Sequence, residues 1–226
     1  MFEIEAKWLR DRLENFKNSQ ISPLLNLGSS DYNFRTREQP WIDKEIFAPL
    51  RKREVKTCHV DLKDSKGVDI SADLMTQEGF ERLHALNPRS ILCSNMLEHV
   101  TDPRLLASRI EQLLPDEGYA FITVPYSYPY HKDPIDTMYR PTPWEVAEIF
   151  PQCELLNHEI LATGSYRQEI RKRPLIIFRH IFIFPFPFFA WERWKRSMRK
   201  LRWLFTPYKV SCVVLQKKRK NSGPEA

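Results

Sequence analysis

Apolar positions in this chain come in short bursts separated by amphipathic stretches, the rhythm of strands alternating with helices. Residues 2–17 place Ile4, Trp8, Leu9 and Leu13 on one side of a helix that would cover a sheet face. Pro23–Leu27 reads as a buried strand, Trp41–Arg51 as helix-compatible, Val55–Leu62 as a second strand and Gly67–Leu74 as a third. After a helix over Glu78–Leu86 comes the strand Ser90–Ser94, then a helix begun by Leu97, Glu98 and His99, and the apolar strand Gly118–Pro125. A helix over Pro143–Phe150 and strands Cys153–Ala162 and Lys209–Lys218 complete the series. This alternation predicts a doubly wound α/β sheet. The expected organisation is a core over residues 1–165, a helical insertion over 166–207, a last core strand over 208–218 and a flexible tail over 219–226.

The strand ends carry the polar chemistry. Pro23–Leu27 runs into Gly28-Ser29-Ser30-Asp31, where a glycine lets a ligand approach the backbone. Asp61 and Asp73 stand near the ends of the next two strands, where open α/β sheets hold ribose hydroxyls; the alternative for Asp61 is a turn cap. The longest polar loop, VPYSYPYHKDPIDTMYRP, is stiffened by prolines and offers the rings of Tyr126, Tyr128 and Tyr130, a surface suited to a sugar. Asp133, Asp136 and Arg140 either bind acceptor hydroxyls or a phosphate, or pair with one another to fix the loop. His99 and His131 are the candidate bases, since imidazole titrates near neutrality; His99 reads equally well as a helix-start residue bonded to a loop. Glu98, His131, Asp133 and Asp136 lack the tight spacing of a metal site, and no metal is expected.

Composition adds the setting. A chain of 226 residues with 42% hydrophobic content suffices for one α/β domain with a real core. Cys58, Cys93, Cys153 and Cys212 form no CxxC pair and read as reduced thiols of a cytosolic protein. The first twenty residues lack the unbroken apolar core of a signal peptide. Charge is unevenly placed: Met1–Tyr166 holds 19 Lys and Arg against 26 Asp and Glu, whereas Arg167–Phe205 holds 11 against 2. An acidic body thus carries a basic appendage.

Within that appendage, residues 174–191 are strongly apolar but contain Arg179 and His180 and are broken by Pro185 and Pro187, which argues against a membrane-spanning helix. In WERWKRSMRKLRWLF, Trp191, Trp194, Met198, Leu201, Leu204 and Phe205 fall within one arc of about 140°, opposite Arg193, Lys195, Arg196, Arg199, Lys200 and Arg202; Trp203 alone is out of phase. Residues 174–205 therefore match a helix lying in an anionic membrane interface. The competing readings are a helix packed on the domain as a lid and a nucleic-acid patch; the acidic body disfavours the latter.

LNLGSS, VDL, SADL, CSNMLEHV and GYAFITVP stand in the order of the motifs of class I S-adenosylmethionine-dependent methyltransferases, and the chain resembles the methyltransferase type 11 group. Its long loop is similar to that of bacterial members linked to surface-polysaccharide biosynthesis. The resemblance implies a Rossmann-like seven-stranded sheet with the last strand antiparallel, and S-adenosyl-L-methionine as cofactor. It places Asn26, Gly28, Ser29 and Ser30 against the methionine part, Asp61 at the ribose, Asp73 and Leu74 at the adenine, and Ser94, Asn95 and Met96 along the other side. Most of that group has two or three loop glycines preceded by an acid, where this chain has one glycine and Asn26. The expected function is O-methylation of a glycan or lipid-linked acceptor by a protein peripheral on the inner, cytoplasmic face of the membrane. The rival reading, resting on the single glycine, is a methyltransferase-fold scaffold without turnover.

Overall fold

A computed structural model describes residues 1–131, 135–172, 174, 175, 178 and 191–219. The apolar bursts become seven strands: β1 (Leu24–Leu27), β2 (Thr57–Asp61), β3 (Ile70–Ser71), β4 (Ser90–Ser94), β5 (Tyr119–Ser127), β6 (Cys153–Gly164) and β7 (Tyr208–Lys217). They form one sheet in the order β3-β2-β1-β4-β5-β7-β6, in which β7 runs antiparallel to both β5 and β6. Leu24, Leu25, Asn26 and Leu27 are all buried, as expected of a central parallel strand covered on both faces.

Alternate residues feed opposite faces. Leu25, Val60, Ile91, Cys93 and Ile122 meet Leu83 of helix Gln77–His84, Leu106 and Ile110 of helix Pro103–Leu113, and Val146 of helix Pro143–Glu148. Leu24, Leu92, Phe121, Val210 and Cys212 meet Trp8, Leu9 and Leu13 of helix Glu3–Glu14, together with Ile46, Phe47 and Leu50 of the helical run that crosses the same face. The chain moves outward through β2 and β3, then returns to β4 on the other side of β1. Loops after β1 and β4 consequently diverge and leave a crevice at the carboxyl edge.

Four expectations are corrected. The third strand shrinks to Ile70–Ser71, because the Asp73 Oδ1 atom accepts the Met75 amide at 2.9 Å and turns the chain off the sheet edge. Leu97–His99 is a single 3-10 turn; the following helix starts only at Pro103, whose ring suits a first helical position and whose predecessor Asp102 caps the Leu105 amide at 2.9 Å. Ile4 is 44% exposed and the buried stripe is centred instead on Glu5, Leu9 and Leu13. Glu5 is fully buried because its carboxyl group accepts the Phe2 amide at 2.9 Å, the Asn95 side chain at 2.7 Å and the Thr123 hydroxyl at 2.6 Å. Trp203, out of phase on the helical wheel, packs with Tyr166 and Tyr208 in a small buried cluster that anchors the end of the insertion to the core.

The insertion itself contains helices Tyr166–Lys172 and Trp191–Leu201, followed by a 3-10 turn over Arg202–Leu204. Most of the Phe-rich run lies outside the described residues, as do residues 220–226 of the tail. The four cysteines are free, and all but Cys58 are buried.

Glu5→Ala is expected to lower stability by roughly 3 kcal/mol, since it leaves the buried Thr123 hydroxyl on β5 and the half-buried Asn95 amide just past β4 without their acceptor. Urea denaturation of the two proteins measures this directly; equal midpoints would show that Glu5 carries no such load.

Candidate functional site

At the end of β1 the backbone of Gly28 adopts φ +64, and a Cβ there would lie 3.4 Å from the Met96 sulfur. Glycine is required by conformation, and Met96 closes over it. The Ser30 amide donates to Asp61 Oδ2 at 2.8 Å and the Lys63 amide to Asp61 Oδ1 at 3.2 Å, so the β1 loop is fastened to the β2 carboxylate. Behind this loop lies Arg35, a buried guanidinium that donates to the carbonyls of Ser29 at 2.9 Å, Ser30 at 2.5 Å and Gly67 at 2.6 Å. Burial lowers its pKa, partly opposed by nearby Asp69 and Asp43.

Asn26 does not join the loop. It faces the other way and contacts the Nδ1 atom of His59 at 3.0 Å, one strand over. Burial, aided by Arg35, pushes His59 down to about 4, so the ring is neutral at pH 7 and packs edge-on against Phe47. Asp73 borders an open depression of about 210 Å³ with Ser71, Thr76, Glu78 and Arg82, while Leu74 is buried in the core. Across the crevice, Asn95 is held at φ +51 by its amide bond to the Thr123 carbonyl at 2.8 Å and by Glu5. The buried Ser94 hydroxyl has no hydrogen-bond partner among the described residues.

A second cluster adjoins the first through the Leu97–His99 turn. Glu98 is fully buried, and neither carboxyl oxygen has a hydrogen-bond partner among the described residues. Burial pushes its pKa up to about 8, with Arg140 pulling the other way. The Glu98 carbonyl accepts the Thr137 amide at 2.9 Å and hydroxyl at 3.1 Å, which ties the long loop to the turn. The His99 Nδ1 atom bonds the Ile135 carbonyl, leaving Nε2 at 3.7 Å from Glu98 Oε1. The rings of His99 and His131 meet edge to face at 5.1 Å, and Tyr128 meets His131 likewise at 5.3 Å.

Asp136 organises the loop. It accepts the amides of His131 at 3.0 Å and Met138 at 2.8 Å and pairs with Arg140 at 2.6 Å. Burial alone would raise its pKa, but Arg140 and the two amides outweigh that and hold the carboxyl at about 2. Asp136 and Arg140 pair with each other and fix the loop. His131 is shifted down by burial, against the pull of Asp136. Tyr130 is exposed on the same loop, Tyr126 is half-buried near the end of β5 rather than in the loop, and Asp133 lies outside the described residues.

Sequence reasoning missed Glu5 and Arg35 and left Glu98 out of the site. Glu5 had a signal, since it lies in phase with Leu9 and Leu13 at four-residue spacing; Arg35 had none, being indistinguishable in its polar stretch from the exposed Arg37.

No protein-family model matches the chain, and no curated protein matches it in sequence. Solved structures do match in shape. The MccD protein superposes with a TM-score of 0.54 at 12% identity, covering 94% of this chain and 96% of its own. The putative sarcosine dimethylglycine methyltransferase from Galdieria sulphuraria gives 0.54 at 12%, covering 94% and 84%. The fold is that of class I methyltransferases. The [4+2]-cyclase SpnF, at 0.55 and 10% identity over 94% of this chain and 81% of its own, has a similar architecture under a different chemical name, so the fold by itself assigns no reaction.

A carboxylate depressed in the folded state stabilises above its unfolded pKa and loses that contribution as pH falls through its folded one. The Asp136 contribution, on the order of 2 kcal/mol, is thus fully present above about pH 4 and lost towards pH 2. Thermal melts between pH 2 and 6 should fall less steeply for Asp136→Asn than for the native chain; parallel curves would contradict this account.

Proposed function

We propose that this chain is an S-adenosyl-L-methionine-dependent methyltransferase that methylates a hydroxyl of a glycan or lipid-linked intermediate at a membrane surface. The observation that carries the reading is the crevice at the switch point, where Gly28, held at φ +64 under Met96, and Asp61, fastened by the Ser30 amide, face the ends of β1 and β2. The residues present fit the cofactor: Gly28, at φ +64, leaves the backbone at the end of β1 bare, and the buried Ser94 hydroxyl lacks a partner among the described residues. Ser29, Ser30, Asn95 and Met96 would line the methionine part, Asp61 would take the ribose hydroxyls, and Asp73 with its depression would border the adenine. Asn26, through His59, and Leu74, in the core, support these walls from behind.

The cofactor, when bound, supplies a methyl carbon that is already electrophilic. What remains for the protein is to align the acceptor oxygen and accept its proton. His99 bonds the Ile135 carbonyl through Nδ1 and presents Nε2, and burial lowers the pKa of His131. Tyr126, Tyr128 and Tyr130 supply flat faces beside them for a sugar. The analogy with type 11 members linked to surface polysaccharides supplies the acceptor class.

Membrane placement is supported by the insertion. Trp191 and Trp194 stack at 5.4 Å on helix Trp191–Leu201, Trp191 is 51% exposed and Phe205 90% exposed. The contact we propose is peripheral, on the inner, cytoplasmic face, with the Trp rings at the lipid headgroups; among the described residues no helix is long and apolar enough to cross a membrane.

Calorimetry with S-adenosylmethionine should give one binding event, weakened at least about tenfold in Asp61→Ala, equivalent to about 1.4 kcal/mol. No heat from the native chain would overturn the enzymatic reading and favour the scaffold. In flotation, vesicles containing anionic lipid should carry the native chain and lose a chain deleted for residues 174–205; indifference to vesicles would refute the membrane placement.

A further inference from the structure

Glu98 is a buried acid to which the proposed methyl transfer gives no task. A carboxyl group without hydrogen-bond partners in the protein interior is costly unless something supplies compensating charge or donors. Two imidazoles lie close to it, with Arg140, Glu5 and Asp136 also within electrostatic reach. One candidate ligand atom each from Glu98, His99 and His131 lies within 4.8 Å of the others. We propose that these three side chains bind a divalent first-row transition metal ion beside the acceptor loop.

The donor set decides the class of ion. Two imidazole nitrogens and one carboxylate suit zinc, iron, cobalt, nickel or manganese, whereas calcium and magnesium prefer oxygen donors alone. Spacing agrees with this. Around a tetrahedral ion with bonds near 2.1 Å, neighbouring ligand atoms stand about 3.4 Å apart. Glu98 Oε1 and His99 Nε2 are 3.7 Å apart already, and the trio, within 4.8 Å, would have to draw in by at most about 1.4 Å on binding the ion.

The surroundings are those of a supported site. A metal-binding imidazole usually donates its other N–H to a carbonyl or carboxylate, which fixes its tautomer and ring plane. His99 does so, through Nδ1 to the Ile135 carbonyl. His131 is held by its amide bond to Asp136, and its Nδ1 atom lies 3.3 Å from the same carboxylate. Asp136 is in turn locked by Arg140 and the Met138 amide, so it serves as a second layer and is withdrawn from the first. Three protein ligands leave at least one position open.

The ligand for that position, if the methyltransferase reading holds, is a hydroxyl oxygen of the acceptor. A cation there would anchor the oxygen and lower its pKa, the proton passing to solvent water, so the two imidazoles would act as ligands rather than as free bases. Binding of the ion itself does not depend on that reading.

The test uses the full chain, stripped with a chelator and equilibrated with Co²⁺ or Zn²⁺ in the absence of cofactor. Expected are one ion per chain by elemental analysis and, with Co²⁺, visible absorption bands typical of a low-coordinate nitrogen and oxygen site. Glu98→Gln and His131→Ala, checked for folding by circular dichroism, should each weaken binding at least tenfold, while His158→Ala on the exposed edge of β6 should not. Absence of stoichiometric binding, or native affinity in both folded site variants, would overturn the inference. Calorimetry with S-adenosylhomocysteine on the metal-free chain is read separately. Cofactor binding without metal binding removes only the metal site, and metal binding without cofactor binding upholds the site and removes its role in methyl transfer.

Discussion

One buried carboxyl group, that of Glu5, joins the N-terminal helix to the two strands whose ends build the site. It accepts from Thr123 on β5 and from Asn95 just past β4, and Asn95 has a backbone conformation that ordinary residues seldom adopt. From Asn95 the constraint passes along the chain. Met96 lies against Gly28, and the next three residues form the turn that carries Glu98 and His99. A helix that would otherwise merely cover a sheet face therefore sets the position of both the cofactor cradle and the histidine cluster.

Arg35 plays the corresponding part on the other wall. By gathering carbonyls from the β1 loop and from Gly67, it draws together two loops that the sheet alone would leave independent. Both residues act from behind the crevice, and both are charged side chain types made tolerable in the interior by several hydrogen bonds each. The geometry of the crevice rests on buried polar contacts as much as on the apolar layers around it.

The sheet was legible because its strands are apolar bursts with turn residues between them, while the antiparallel last strand was an expectation drawn from the resemblance to class I methyltransferases. Ser90–Ser94 was readable to the residue since both of its faces are covered. What could not be read was where polar residues turn. The Asp73 turn that shortens β3, the direction of Asn26 towards His59, and the choice of Asp136 between acceptor and Arg140 all depend on neighbours far along the chain. His99 and His131 could be nominated singly, but their contact depends on the loop returning to the turn through Thr137, a pairing with no periodic trace.

The small aromatic cluster at Trp203 has a mechanical consequence. Trp203 packs on Tyr208, Tyr208 meets Tyr128 at 4.9 Å, and Tyr128 meets the ring of His131. The insertion and the loop that carries His131 thus share one cluster of tilted and edge-on rings. Such packing is stiff, and movement at one end is resisted at the other. The appendage is therefore continuous, ring by ring, with the wall of the site that carries His131, and a change in how Trp203 packs would reach that imidazole through only two intervening tyrosines.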